Sequence, residues 1–571
     1  MKKSLSLFLL FIAFSFLTCR SIPKGEIADL IYHNGILITM DEQNPQATSV
    51  AVKNGKIISV SDQPLMTAHS GDSTQVIDLQ GKTLLPGFID AHSHMVMAMA
   101  LVRQANLSSP PVGPVANIGD IIKKLKTQQE KYNIAKGDWI IGWGYDPDLL
   151  EEKRHPNKLD LDEFFPNNPV FLLHVSGHMA VVNSRALEMV GIDENTPDPP
   201  GGVIVRLPGT KEPDGLVQEM ASYIFRKALP QPDLDQTMEL LKEIQQRYAS
   251  HGITTAQDGL TDLKNYQFLK KAAGEGQLII DLEVLASFMD LEKYIQSYAG
   301  DFGKSDNGLR LAGVKIVSDG SPQGKTAFFS KPYLTKVPGC AHDCRGYPNL
   351  KPKQLQMLMR QCYENDIQLY THANGDGAID QFLESHQLVI DSMSSVPDDQ
   401  RSVIIHSQFV RPDQLEMYKK YGMVPAYFSN HAFFWGDVHL ENLGTERASF
   451  LSPLKTSMDM GIVCTNHTDY FITPIDQLFL LWTAVNRKTR SGKVLGEGER
   501  LSPLEGLKAI TINAAYQHKQ EAIKGSIETG KLADFVILAE NPLTVDPDDI
   551  KNINILTTIK EGKVIYSSAG D

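Results

Sequence analysis

Short apolar runs bounded by turns occur near both ends of the chain. Residues 49–52 and 56–60 form one pair of such runs, and residues 533–538 and 555–559 form another. Both pairs are rich in Val, Ile and Leu, a composition that favours strands.

Two Asn-Gly pairs, at positions 34–35 and 54–55, predict hairpin turns between neighbouring strands. We therefore expect residues 28–85 and 515–571 to build one small β-sandwich domain from both termini. Two unrelated β ribbons are the alternative.

Between these ends the pattern alternates between strand and helix, as is typical of α/β proteins. Amphipathic helical stretches such as 234–251 and 353–365 separate some of the apolar runs. Eight strands are expected, the number of a (β/α)8 TIM-like barrel, over residues 86–514. The predicted strands cover 87–94, 252–256, 278–284, 309–317, 367–372, 402–406, 423–426 and 461–465.

Residues 100–229 are too many for one βα unit and are rich in Pro and Gly. We expect them to form a large insertion after the first barrel strand. Its position predicts a lid over the barrel mouth.

The first 19 residues have the pattern of a secretory signal peptide. A basic head, Met1-Lys2-Lys3, precedes an apolar run that is short for a membrane span. The run ends at Cys19, where a bacterial lipoprotein signal carries its acylated cysteine. Because Phe16-Leu17-Thr18 is bulkier than usual there, a plain secreted or periplasmic protein is the alternative. We expect an exported cell-envelope protein, attached to the membrane if Cys19 is lipidated.

Composition and charge exclude one class of function. The chain has 571 residues, of which 42% are hydrophobic and 22% charged, as in a globular protein with a sizeable core. A net charge of −13 and the lack of a dense Lys/Arg run argue against nucleic-acid binding. The expected partner is a small-molecule substrate, and the oligomeric state is left open.

The cysteines after the signal segment do not predict a zinc site. Cys340 and Cys344 have an unusual spacing for zinc, and no second pair accompanies them. In an exported protein a disulfide closing this small loop is favoured. Cys362 and Cys464 are expected to be unpaired.

His92 and His94 end the first predicted barrel strand. If they lie on a strand, residues i and i+2 point to the same face, so both imidazoles would aim at one metal. Later strand ends carry Lys315, His372 and His406, and Asp469 follows the last strand. A single strand-end histidine is usually structural, but several at one barrel rim indicate an active site.

Longer motifs surround these residues. The chain resembles the amidohydrolase superfamily of metal-dependent hydrolases, and more narrowly its type-3 branch, which includes N-substituted formamide deformylases. The resemblance extends from about residue 28 onward. The motifs that carry it are residues 86–94, Lys315 with Asp319-Gly320, 372–376, 406–408, Asp469 with Pro474-Ile475-Asp476, 525–534, and 142–146 and 177–187 in the insertion.

The resemblance implies a divalent metal, zinc by preference, with one or two ions per chain. His92, His94 and Asp469 would bind the more buried metal. His372 and His406 would bind a second metal, or one of them would bind substrate if there is a single metal. Asp469 would also exchange protons, and its segment departs from the commoner motif of the branch.

Three assignments keep alternatives. Lys315 would bridge two metals as a carboxylated lysine, because a carbamate supplies two anionic oxygens; the alternative is a salt-bridged lysine. His467 competes with Asp469 for the task of binding the metal and exchanging protons. We prefer Asp469 because Pro474 and Asp476 follow it at the family spacing, and we expect His467 to support the metal ligands instead. His178 would bind substrate, or is a structural histidine.

We expect a hydrolase that cuts a non-peptide C–N bond, an N-substituted amide or formamide, by metal-activated water with Asp469 as proton shuttle. Deamination, cyclic amide opening and ester hydrolysis use the same fold and site. An inactive ligand-binding lipoprotein is the alternative from another class. The aromatics Phe433, Phe434 and Trp435 would line an apolar pocket or pack in the core.

Overall fold

The computed structural model describes residues 26–568, apart from 111, 176, 338–339 and 396–398. The predicted signal segment 1–19, with Cys19, lies outside the described residues. No helix within the described ranges is long and apolar enough to cross a membrane.

Eight parallel strands form a nearly closed barrel, and each pairs with the next in chain order. The predicted eight-stranded barrel is confirmed, although several strand ends differ. The strands are β1 (Phe88–Asp90), β2 (Ile253–Thr261), β3 (Asp281–Ser287), β4 (Leu309–Val317), β5 (Leu369–Ala373), β6 (Val403–His406), β7 (Val424–Tyr427) and β8 (Thr465–Asn466).

Helices follow or precede the strands and pack against them. Leu234–Ala249, which precedes β2, begins after Asp233, whose side chain accepts a hydrogen bond from the Gln236 backbone in a capping box. The main helices around the barrel are Leu234–Ala249, Leu263–Gly274, Leu291–Tyr298, Pro352–Glu364, Asp376–Asp391, Pro412–Tyr421, Asn430–Leu443, Leu454–Asp459, Gln477–Asn486, Pro503–Ala509 and Ile512–Gln517.

The edges β1 and β8 are joined through the segment after β8. The backbone N–H and the hydroxyl of Thr468 donate to the buried Asp90 carboxylate at 3.2 and 2.5 Å. The Asp469 N–H donates to the His92 carbonyl at 3.1 Å. These contacts hold the ends of the barrel together beside the predicted site.

Residues after β1 form a separate six-stranded sheet. Its strand order is Gly202–Arg206, Pro213–Glu219, Met179–Val182, Val170–His174, Ile140–Tyr145 and Ala105–Asn106. Ile118–Lys131, Lys158–Asp162, Ser184–Val190 and Met220–Ala228 are the helices of this region. Trp143 lies with its ring centroid 6.5 Å from that of Phe471 in the barrel. The role of a lid stays a prediction.

The two termini share a sheet. Phe535–Leu538 pairs antiparallel with Thr83–Pro86, within a six-stranded sheet of order Lys563–Ser567, Ile555–Lys560, Phe535–Leu538, Thr83–Pro86, Ile36–Ile38 and Gln46–Ala47. A four-stranded sheet has the order Lys56–Ser61, Ser49–Lys53, Leu30–His33 and Gln75–Asp78. Buried residues of both sheets form one apolar cluster. The exact domain boundaries stay predictions.

One of the two predicted hairpins is wrong. Asn54-Gly55 joins the antiparallel strands Ser49–Lys53 and Lys56–Ser61 as expected. Asn34-Gly35 instead leads from Leu30–His33 to Ile36–Ile38, which belong to different sheets. A Cβ at Gly35 would lie 2.8 Å from the Lys82 carbonyl oxygen, so glycine permits this close crossing between sheets.

The cysteine predictions are confirmed. Cys340 and Cys344 form a disulfide. Cys362 and Cys464 are free and buried.

Candidate metal centre

His92 and His94 lie in the loop after β1, so their expected place on the strand is wrong. The strand ends at Asp90, and the chain then turns into a helix that begins after His94. The two rings nevertheless lie 4.9 Å apart. The pair is therefore brought together by its contacts with β2 rather than by strand alternation.

Those contacts fix the tautomer of both rings. His92 Nδ1 donates to the Gln257 side-chain oxygen at 2.5 Å, and His94 Nδ1 donates to the Gly259 carbonyl at 2.9 Å. Each Nε2 therefore keeps its lone pair. Anchoring one ring nitrogen in this way is the usual arrangement for metal-ligating histidines.

Neighbouring strands bring three more predicted residues to the same place. Lys315, in β4, has Nζ 3.1 Å from His92 Nε2. His406, at the end of β6, lies 5.6 Å from the His92 ring and 4.5 Å from the His372 ring of β5. The Asn374 side chain donates to His372 Nε2 at 2.9 Å.

Asp469 completes the cluster from the loop after β8. Its Oδ1 is 3.5 Å from His92 Nε2 and 3.3 Å from His94 Nε2. One ligand atom from each of His92, His406 and Asp469 lies within 4.8 Å of the others, and all three residues are buried. Asp469 and His406 have φ of 50° and 70°, a strained backbone often found at functional sites.

Burial controls the charges in the cluster. It lowers the pKa of Lys315 to about 7 and that of His372 to about 3, and it places the pKa of His92 well below its usual value. Burial alone would raise the pKa of Asp469, but hydrogen bonding and charge from His94 hold it below its usual range. The site thus combines neutral imidazoles, a carboxylate and a lysine that is easily deprotonated.

The donor set fits a divalent cation. His406 Nδ1 and both nitrogens of His467 are buried without a hydrogen-bond partner among the residues that the structure describes. The His467 ring lies 5.1 Å from the rings of both His92 and His406. Imidazole nitrogens and a carboxylate oxygen are ligands that zinc and similar metals prefer.

Asp319 supports the loop that carries His372. Its buried carboxylate accepts backbone hydrogen bonds from Asn374, Gly375 and Phe328 at 2.9 to 3.0 Å. Burial raises its pKa to about 7 although these bonds oppose the change. These contacts indicate that Asp319 holds the loop after β5 in place against the end of β4.

His178 lies apart from this buried cluster. It directly precedes the strand Met179–Val182 of the sheet that follows β1, its side chain is 67% exposed, and its Nδ1 is 3.1 Å from Glu219. Its substrate-binding role stays a prediction. Phe433 and Phe434 lie on the helix Asn430–Leu443 and pack with Phe479, whereas Trp435 contacts the ring of His431 at 4.3 Å.

Sequence comparison assigns the family. A model of the amidohydrolase family matches residues 75–566. The chain belongs to the amidohydrolase family. The predicted resemblance is therefore confirmed. The predicted enzyme class, a hydrolase that acts on C–N bonds, is confirmed as well.

Relatives cover nearly the whole chain. An N-substituted formamide deformylase from Arthrobacter pascens is 27% identical over 560 residues, which is 95% of this amidohydrolase and 99% of that protein. A putative amidohydrolase of Bacillus subtilis, YtcJ, is 28% identical and covers 94% and 99%. An uncharacterized metal-dependent hydrolase from Pyrococcus horikoshii has the same fold, with a TM-score of 0.70, 23% identity and coverage of 91% and 99%.

The sequence did not indicate the residues that orient the ligands of the amidohydrolase site. Gln257 and Gly259 lie about 165 positions from the histidines that they hold. Both are inside β2, whose sequence Ile-Thr-Thr-Ala-Gln-Asp-Gly-Leu-Thr matches no motif that points to a metal site. No sequence motif points to His431 or His439 either.

Proposed function

We propose that this amidohydrolase hydrolyses a non-peptide C–N bond of an N-substituted amide or formamide. The observation that carries the proposal is the Asp469 carboxylate, whose Oδ1 lies within 3.5 Å of Nε2 of both His92 and His94. The relationship to a formamide deformylase over 95% of the chain supports the amide class.

His92, His94, Asp469 and His406 would hold a divalent metal, zinc by preference, with His372 as a further ligand. Bound there, such an ion would lower the pKa of a water molecule to about 7 and polarise a carbonyl. The Nδ1–H anchors of His92 and His94 keep both rings ready to accept a cation.

Asp469 moves the proton. The low pKa of its carboxyl group keeps it ionised at neutral pH, so it can take a proton from the attacking water. It then delivers that proton to the nitrogen of the C–N bond being cleaved, because an amine leaves poorly as an anion. His406 is neutral because burial lowers its pKa, so it can bind a cation through its ring lone pair or donate its ring N–H to the acyl oxygen.

We propose that Lys315 carries a carboxylate and bridges two metals. The reaction with carbon dioxide requires a neutral amine, and burial lowers the pKa of Lys315 to about 7. Lys315 Nζ lies 3.1 Å from His92 Nε2, so a carbamate on Lys315 would lie beside the residues that would hold the metal. Export, with attachment through a lipidated Cys19, is a proposal about location that rests on the sequence alone.

Deamination and ester hydrolysis have less support than amide hydrolysis. Adenine deaminases match only short stretches, for example 77 residues that make up 14% of this chain. An inactive binding protein would be expected to have lost ligands, whereas all six predicted metal-site residues are present.

Turnover of a panel of N-formyl and N-acyl amines by the metal-loaded protein tests the proposal. Asp469→Asn should lower the turnover rate at least about 100-fold, the usual effect of losing a general acid–base group. Most of the metal should stay bound. Thr335→Val, away from the cluster, should leave the rate unchanged. Equal activity of Asp469→Asn and the parent would show that Asp469 is not the proton carrier.

A further inference from the structure

His431 and His439 form a buried pair on the helix Asn430–Leu443, which follows β7. His431 Nδ1 lies 3.1 Å from His439 Nε2, and the two rings are parallel within 4°. His439 is 0% exposed and His431 is 3% exposed. One of the two facing nitrogens must donate and the other must accept.

The surroundings of His439 decide which ring donates. Its Nδ1 is buried and has no hydrogen-bond partner in the described part of the chain. A proton on this Nδ1 would be fully buried and unsatisfied. His431 Nε2 also lacks a described partner, but it is not among the fully buried atoms, so a proton there can be satisfied by water or a ligand. The proton of His439 therefore belongs on Nε2, from which it is donated to His431 Nδ1.

This assignment fixes the tautomer of His431. Because its Nδ1 accepts, a neutral ring carries its proton on Nε2. Burial keeps the pKa of His431 well below its usual value, so the ring is neutral. No described residue accepts a hydrogen bond from this Nε2. His431 therefore offers a spare donor.

One aromatic ring, that of Phe428, links His431 to the His467 ring of the metal centre. The ring of Phe428 contacts His431 at 4.7 Å on one side and stacks on His467 at 4.9 Å on the other. Trp435 flanks His431 at 4.3 Å. A hydrogen-bond donor that is surrounded by aromatic rings suits a small, mainly apolar ligand with one hydrogen-bond acceptor.

We propose that His431 is a substrate-binding residue that donates a hydrogen bond from Nε2 to the carbonyl oxygen of the substrate, and that His439 holds it in the donating tautomer. The inference rests on the proposed function, because the carbonyl oxygen is the one strong acceptor of an N-substituted amide.

Equilibrium binding of formanilide to the full chain with Asp469→Asn tests this, since turnover is then suppressed. His431→Phe keeps an aromatic ring but removes the donor, and should weaken binding about threefold to tenfold, as for one hydrogen bond. His431→Gln places an amide N–H near the same position and should bind within about twofold of the parent, by the same estimate.

His439→Phe frees the tautomer of His431 and should also weaken binding, whereas His439→Gln keeps a donor and should not. His386→Phe is the matched control, because His386 is also buried and hydrogen-bonded, to Tyr363 at 2.8 Å, but lies outside the site. It should leave formanilide binding unchanged.

The role of His431 would be overturned if formanilide bound equally well to the Asp469→Asn protein with and without His431→Phe. It would also be overturned if the Asp469→Asn protein showed no measurable binding of formanilide. Failure of the wild-type enzyme to hydrolyse any amide of the panel would instead overturn the proposed function. Binding and turnover are measured separately, so the two failures are distinguishable.

Discussion

A single ring nitrogen decides what each histidine of the centre can bind. His92 and His94 have their Nδ1–H groups engaged by β2, so only Nε2 faces Asp469. The orientation of a ligand depends on a partner that never touches the metal. Gln257 is therefore as much a part of the centre as the histidine that it holds.

Gln257→Leu should weaken divalent-metal binding about 10- to 100-fold, the usual cost of losing such a partner. The His92 ring would lose the acceptor that fixes its tautomer and orientation. Gln257→Glu retains an acceptor oxygen and is the matched control. Competition with a chelator measures the affinity, and an unchanged affinity in Gln257→Leu would contradict this account of the site.

At the residue scale the sequence predicted the reactive groups but not their supports. His92, His94, Lys315, His372, His406 and Asp469 were predicted because they follow apolar runs at recognisable motif positions. Their partners are ordinary residues of distant strands, and only the closed barrel brings them near. The tautomer of His431 depends on an unsatisfied nitrogen, which sequence cannot reveal.

At the scale of elements, a buried charge network joins the terminal strands to the barrel. Asp281, at the start of β3, contacts Lys524 and lies 3.2 Å from Lys560 of the strand Ile555–Lys560. Lys560 also lies 3.2 Å from Asp534, which precedes the strand Phe535–Leu538. These charges are buried together, so the removal of one leaves an opposite charge poorly compensated and destabilises the fold.

Asp281→Asn should lower the free energy of unfolding by about 3 kcal/mol or more, because it leaves the buried Lys524 without its carboxylate partner and removes one of the carboxylates beside Lys560. Asp301→Asn, which breaks the partly exposed pair with Lys270, is the control and should cost less than about 1 kcal/mol. Urea denaturation measures both. Similar losses in the two variants would show that the network does not stabilise the junction.

Element types were predictable where the apolar period was clear, and element ends were not. The last strand was expected at 461–465, but only Thr465–Asn466 pairs with β7. Ile462 and Cys464 are nonetheless buried. An apolar run therefore reports burial, and it does not report which residues make ladder hydrogen bonds.

At the scale of the whole molecule, the barrel brings residues separated by almost 400 positions into one centre. Thr468 reaches Asp90 across the β1–β8 edge, and this contact sets Asp469 beside His92 and His94. The eight-strand count and the family motifs predicted this convergence. The crossing between sheets at Gly35 was not predictable, because it depends on packing against the distant Lys82.

The metal content of purified protein lacking residues 1–19 tests the central claim most directly. Elemental analysis should find one or two equivalents of a divalent metal per chain, and zinc is the metal that we expect. Two equivalents that require bicarbonate during reconstitution would support the carboxylated Lys315, and His92→Ala should remove bound metal. The absence of stoichiometric metal after reconstitution with zinc and bicarbonate would contradict the account.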